Sequence, residues 1–240
     1  IHISNKQIMK NLMLCSVLLC LLFSCSSESD FELAENFNNN SEEIKKDNAF
    51  PLNPANPFDI KGRKYYDEIQ LYLKNNSAPN SIEEITNQII YLSRNYKNND
   101  YHKNANLGYT AEEILEILNN PSVKLLEIVE NCSISTSSKS QLTLFVESLI
   151  AQQDEEYEAI RDYIISFDAG IIENTTLASD EKETILTVST ISSYALYAEA
   201  ERKDRDWETS VGHKKVQSVF NHNKASIVSV IALLSTITKN

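Results

Sequence analysis

Glycine is scarce in this chain: four residues in 240, with five prolines, four histidines and one tryptophan. So little glycine leaves almost no backbone for a loop that wraps a phosphate, and neither a G-x-x-x-x-G-K-[ST] loop, a G-x-S-x-G elbow nor an H-E-x-x-H pair is present. His213 and His222 lie nine residues apart, not the four that place two imidazoles on one helix face, so neither a metal site nor a cofactor is expected. Positive charge is also in short supply. Lys and Arg number 22 against 34 Asp and Glu, a net charge of −12, and a surface of that sign repels nucleic acid and, in general, anionic membranes. Apolar runs are short: Leu12 to Phe23, broken only by Ser16, and Ala225 to Thr238. Both fall below the roughly 18 apolar residues that a membrane-spanning helix needs.

What the chain does contain begins at Met9. The stretch MKNLMLCSVLLCLLFSC sets a lysine before an apolar core of secretory-signal length, and Met9 is the expected start, with Ile1 to Ile8 read as upstream sequence. Leu22-Phe23-Ser24-Cys25 resembles the lipobox of bacterial lipoproteins, although Phe23 stands where a small residue is commoner. The resemblance implies cleavage before Cys25 and a lipid on its thiol. The membrane is then a partner through that lipid, since each buried methylene adds about 0.8 kcal/mol and several acyl chains hold a protein stably. Ser29-Asp30-Phe31-Glu32 resembles the acidic export signal of Bacteroidota-type lipoproteins, which implies the outer membrane and display on the cell exterior.

With residues 1–24 removed, Lys6 and Lys10 go and the net charge becomes −14. Cys15 and Cys20 leave too, and Cys25 carries lipid, so Cys132 remains without a disulfide partner. It is expected to be a small, partly buried side chain.

Residues 25–57 are rich in Asn, Ser and charge, with three prolines near the end, and are expected to form a disordered, flexible tether with a mean reach of roughly 30 Å. From Phe58 to Asn240 helical periodicity takes over. Tyr65, Ile69, Tyr72 and Leu73 share one helix face. Ser81 with Glu84, and Thr110 with Glu113, have capping-box spacing, and Asn119-Asn120-Pro121 ends one helix before another. Further stripes occupy Lys139 to Gln153 and Asp154 to Glu173, and a long helix begins at Ser179. The β-branched stretch TILTVSTIS keeps helical spacing and is read as helix, and Ala225 to Thr238 as a buried terminal helix. The expectation is an all-α domain, a single irregular bundle of about six to eight helices behind the tether.

The lead-in Asn56-Pro57-Phe58-Asp59, then Gly62, Tyr65-Tyr66 and Asp67, stands out. Pro57 stiffens the approach, Asp59 is placed to cap the first helix, and the tyrosines can bury rings while their hydroxyls reach water. This N-P-[FY]-D-x-x-G pattern, with Asp206-Trp207 further on, resembles a family of uncharacterised surface lipoproteins from Bacteroidota; the resemblance implies location and no reaction. Tyr65, Tyr66 and Trp207 are the candidates for binding a protein or glycan partner. No catalytic residue is assigned, and a non-catalytic binding or structural module is expected. The alternatives are a hydrolase of envelope or extracellular polymers using carboxylates from separate helices, and a membrane-active antagonistic protein that releases its apolar C-terminal helix.

Overall fold

The computed structural model describes residues 50–97, 109–209 and 223–238. Among the described residues are eight α-helices and no strand: α1 Asp59–Asn75, α2 Ile82–Lys97, α3 Ala111–Asn119, α4 Pro121–Glu130, α5 Thr136–Ala151, α6 Tyr157–Glu173, α7 Ser179–Thr209 and α8 Lys224–Ile237. The chain is therefore all-α. TILTVSTIS lies within α7, where every residue from Ile185 to Ala198 is buried. Packing on all sides outweighs the modest helix penalty of the β-branched side chains.

The helix starts follow local chemistry. Thr110 and Glu113 form a full capping box at α3, each side chain bonding the other's backbone N–H. At α2, Ser81 accepts from the Glu84 N–H, but the Glu84 carboxylate takes the Asn80 N–H at 2.7 Å, one residue earlier than a reciprocal box. Proline occupies the first turn of α4, where its missing N–H costs nothing. Ser135 caps α5 by accepting from the Ser138 N–H, so that helix begins at Thr136, ahead of the expected Lys139.

Two helices organise the core. The short α8 packs against α2, α3, α4, α5 and α7. Ten of its residues are buried, which accounts for a segment that is apolar nearly all round. The long α7 packs along α8 and carries α1 and α6 on its other sides. Contacts of Lys203 with Asn223, and of the Ala195 carbonyl with Ser226, show that α7 and α8 run antiparallel. A smaller cluster of Ile171, Leu177, Ile185 and Leu186, with Phe58 against it, closes the α6–α7 turn. Cys132 is buried as expected, its Sγ 2.9 Å from Thr238 Oγ1, joining the ends of α4 and α8.

The described residues upstream of Asp59 correct the expected boundary. Pro51, Asn53 and Asn56 are buried, so 50–57 are a packed strap, not flexible tether. The reason is polar: the asparagines that suggested coil have buried partners. Cys25, the acidic serine-rich stretch, His102, His213 and His222 lie outside the described residues, as does the side chain of Trp207.

Candidate functional site

The strap crosses α1, α6 and α7, and its asparagines define the most polar part of the interior. Asp168 on α6 is 1% exposed. Its Oδ2 accepts from Asn53 Nδ2 at 2.8 Å and Asn56 Nδ2 at 2.9 Å, and its Oδ1 from the Ser189 hydroxyl at 2.5 Å. Asn56 Nδ2 also reaches the Leu186 carbonyl, and Asn56 Oδ1 accepts the Phe58 N–H. The second carboxylate, Asp59, does not cap its helix. It accepts from the Asn53 N–H at 3.0 Å and the Tyr194 hydroxyl at 2.9 Å. Burial pushes the Asp168 pKa above the ordinary carboxylate value, the bonds from Ser189, Asn56 and Asn53 pull it back, and the charge of Asp59 adds to the rise.

Gly62 is needed because α1 and α7 approach closely there. A Cβ at this position would sit 2.2 Å from Thr190 Oγ1 and 2.6 Å from Tyr194 Cδ2. The N-P-F-D-x-x-G pattern thus reads as one device: asparagine and aspartate lock the strap, and glycine admits the helix that follows.

Outside this lock lies an aromatic seam. Phe50 meets the rings of Tyr194 and Tyr197 edge-on at 5.8 and 5.6 Å, and Tyr66 lies 5.7 Å from Tyr197. The Tyr66 hydroxyl donates to Glu201 Oε2 at 2.5 Å, and burial, then that carboxylate, push its pKa up. Tyr197 rises to about 12, chiefly from burial and then from Glu201. The two sequence candidates on α1 part company here. Tyr65 is 2% exposed and belongs to the core. Tyr66 is half-buried with its hydroxyl engaged. Sequence reasoning picked out Asn56 as part of the entry motif but missed Asn53 and Asp168; the one available signal for Asn53 was the repeated Asn-Pro pair, Asn53-Pro54 and Asn56-Pro57.

Apart from the lock, a cleft of about 430 Å³ lies at the start of α7, with Ser133, Ser135, Asp180, Glu181 and Glu183 in its lining. Glu181 accepts the backbone N–H groups of Ser135 and Ala178, and hydrogen bonds from Ser135, ahead of that from Ala178, hold its pKa down to about 2. Glu183 pairs with Lys61 at 2.7 Å. Among the described residues, no group of three or more His, Cys, Asp or Glu is placed to hold a metal, and no helix is long and apolar enough to cross a membrane. No protein-family model, curated protein or solved structure matches the chain.

Proposed function

We propose that the chain is a lipoprotein acylated on Cys25, held at the outer membrane and facing the cell exterior, whose helical domain is a non-catalytic binding or structural module. The observation that carries this reading is the strap lock. Just before the first helix, the polar segment that follows the lipobox is fastened to α6 and α7 through Asn53, Asn56, Asp59 and Asp168. For a chain tied to a membrane at one end, the lock fixes where the tethered segment ends and the folded domain begins, ahead of α1. The lipobox-like LFSC and the Ser-Asp-Phe-Glu stretch supply the anchor and the route.

The buried acids favour a structural role over a hydrolytic one. Both oxygens of Asp168 and both of Asp59 accept hydrogen bonds from the protein itself, and Glu181 and Glu183 at the open cleft hold backbone N–H groups and Lys61. A general acid or nucleophile needs an oxygen free to face substrate. The position of α8 weighs against release of an apolar C-terminal helix, because its withdrawal would empty the core. A partner face would include Tyr66, with Trp207 as the other candidate.

The test is labelling with a clickable fatty acid in the wild type and in Cys25→Ser, combined with protease shaving of intact cells. The expected result is label that depends on Cys25 and cleavage from outside. Label without Cys25 dependence would remove the anchor, and full protection from protease would overturn surface display.

A further inference from the structure

The described surface carries two sets of exposed large apolar side chains with opposite electrostatic settings. One set, Leu115, Val123, Leu126 and Leu144 on α3 to α5, shares those helices with Glu112, Glu116, Glu127, Glu130 and Glu147, which outnumber Lys124 and Lys139, the partners of Glu116, Glu127 and Glu130. The other comprises Phe50 and Leu52 on the strap and Ile60 and Leu71 on α1, with Ile60 68% exposed. Along α1 the outward residues Ile60, Arg63, Lys64, Asp67, Leu71 and Lys74 fall in an i, i+3, i+4, i+7, i+11, i+14 pattern, which is a single helix face. Arg63 and Lys74 are exposed and Lys64 half-buried, and none of the three makes an ion pair among the described residues. The acids nearby are Asp67 on the same face, Glu68 at its edge, engaged by Tyr91 and Asn95, and the buried Asp59 one turn before Arg63, engaged by Asn53 and Tyr194. In a chain of net charge −12, this face combines cations outside any ion pair with Ile60 and Leu71, 68% and 47% exposed.

We propose that the strap and the outward face of α1 form the surface with which the domain rests on an anionic lipid headgroup layer. Three observations converge on that occupant. The charge is complementary to anionic headgroups, which attract each nearby Lys or Arg, whereas the α3–α5 set carries the wrong sign. Aliphatic side chains interleaved with cations are what an interfacial helix uses, the apolar groups entering the headgroup boundary while cations stay at its level. Lastly, the strap, which lies on the Cys25 side of α1 in the sequence, meets this part of the molecule: the ring of Phe50 packs on Tyr197, Tyr197 on Tyr66, and Tyr66 lies one turn past Arg63 on α1. The lipid-anchor reading above is the basis on which this face meets a membrane.

The experiment uses the full acylated chain reconstituted into vesicles of phosphatidylethanolamine with phosphatidylglycerol, or of phosphatidylcholine alone. A polarity-sensitive fluorophore is attached at Ile60→Cys or, as the control face, at Val123→Cys. With anionic vesicles the probe at 60 should shift to the blue and be quenched by lipids carrying a quencher near the headgroup, and the probe at 123 should not. Arg63→Glu with Lys64→Glu should cut the fraction of the probe at 60 in contact with lipid roughly tenfold while the chain stays anchored, and added salt should do the same to the unmodified face. Lys74→Glu with a probe at Leu71→Cys repeats the test at two other exposed positions, in case the double reversal perturbs folding. Equal polarity at 60 and 123 in anionic vesicles, or equal response to both vesicle types, overturns the proposal. Flotation of the chain with vesicles is scored separately. A chain that floats while its probe stays in water keeps the anchor and loses the contact. A chain found to carry no lipid loses the anchor, and its probe in anionic vesicles still decides the contact.

Discussion

Helix α7 is buried on two sides by opposite means. Towards α8 it presents Ala195 and Ala198, which share a cleft wall with Ala225, Ser226 and Ser229, small residues that let two apolar helices run close. Towards the strap and α6 it presents Ser189, Thr190 and Tyr194, and each is spent on a hydrogen bond or a close contact with Asp168, Asp59 or Gly62. The first side is held by area removed from water and tolerates small changes of shape. The second is held by groups that are each costly to leave unpaired, so its stability is concentrated in a few atoms.

Truncation on the apolar side should have the largest effect. Ile231→Ala removes most of a side chain that is fully buried at the centre of α8 and should cost about 2–5 kcal/mol, read from the midpoint of urea unfolding. Asp168→Ala should cost about 2–3 kcal/mol by stranding the Asn53 and Asn56 amides and the Ser189 hydroxyl. The sharper contrast lies in where each acts. Loss of Ile231 should lower protection from hydrogen exchange throughout the bundle, whereas loss of Asp168 should release the strap and the first turn of α1 before the rest. If both variants loosen the whole domain equally, the strap is no separate fixed point.

The apolar side was legible in the sequence and the polar side was not. Stripes at three- and four-residue spacing marked the helices, and the length and apolarity of Ala225 to Thr238 were enough to place it inside. Tyr65 could have been assigned to the core by the same logic, because it shares the stripe of Ile69 and Tyr72, while Tyr66 falls beside it. The strap defeated that reading for a physical reason. Asparagine and proline in series look like coil when no partner is visible, and the partner of Asn53 lies 115 residues away on another helix. A hydrogen bond to a distant carboxylate leaves no periodic trace in either segment.

Two glycines test whether the close approach at the polar side is specific. Gly62→Ala puts a methyl group into Thr190 and Tyr194 and should cost about 1–3 kcal/mol. Gly170, in the interior of α6, has nothing within 4 Å of the same added atom, so Gly170→Ala should stabilise by roughly 0.5–1 kcal/mol through helix propensity and lost chain entropy. Opposite signs in thermal melts of the two variants would confirm that spacing, not glycine content, matters at α1.

The smallest effect concerns acid, and it separates two carboxylates near the same helix. Asp168 has a folded pKa raised above 3.8, so the native state binds its proton at higher pH than the unfolded chain does. Its contribution to stability is therefore fully present below the unfolded value and falls away as pH rises through the folded one. Glu181 behaves in reverse. Its pKa is lowered from 4.5 to about 2, so its contribution is present above the unfolded value and is lost as pH falls through about 2. Unfolding midpoints measured from neutral pH downward should accordingly respond in opposite directions to two substitutions. Glu181→Gln should flatten the loss of stability on the acid side, because the proton that Ser135 and Ala178 exclude is no longer bound on unfolding. Asp168→Asn should remove a compensating gain and make the acid limb steeper, since a buried group that welcomed a proton is gone. If the two profiles shift the same way, the bonds from Ser189, Asn56 and Asn53 outweigh burial and hold Asp168 as an anion like Glu181, and if Asp168→Asn leaves the profile unchanged the lock is held by a carboxylate in an ordinary solvent environment.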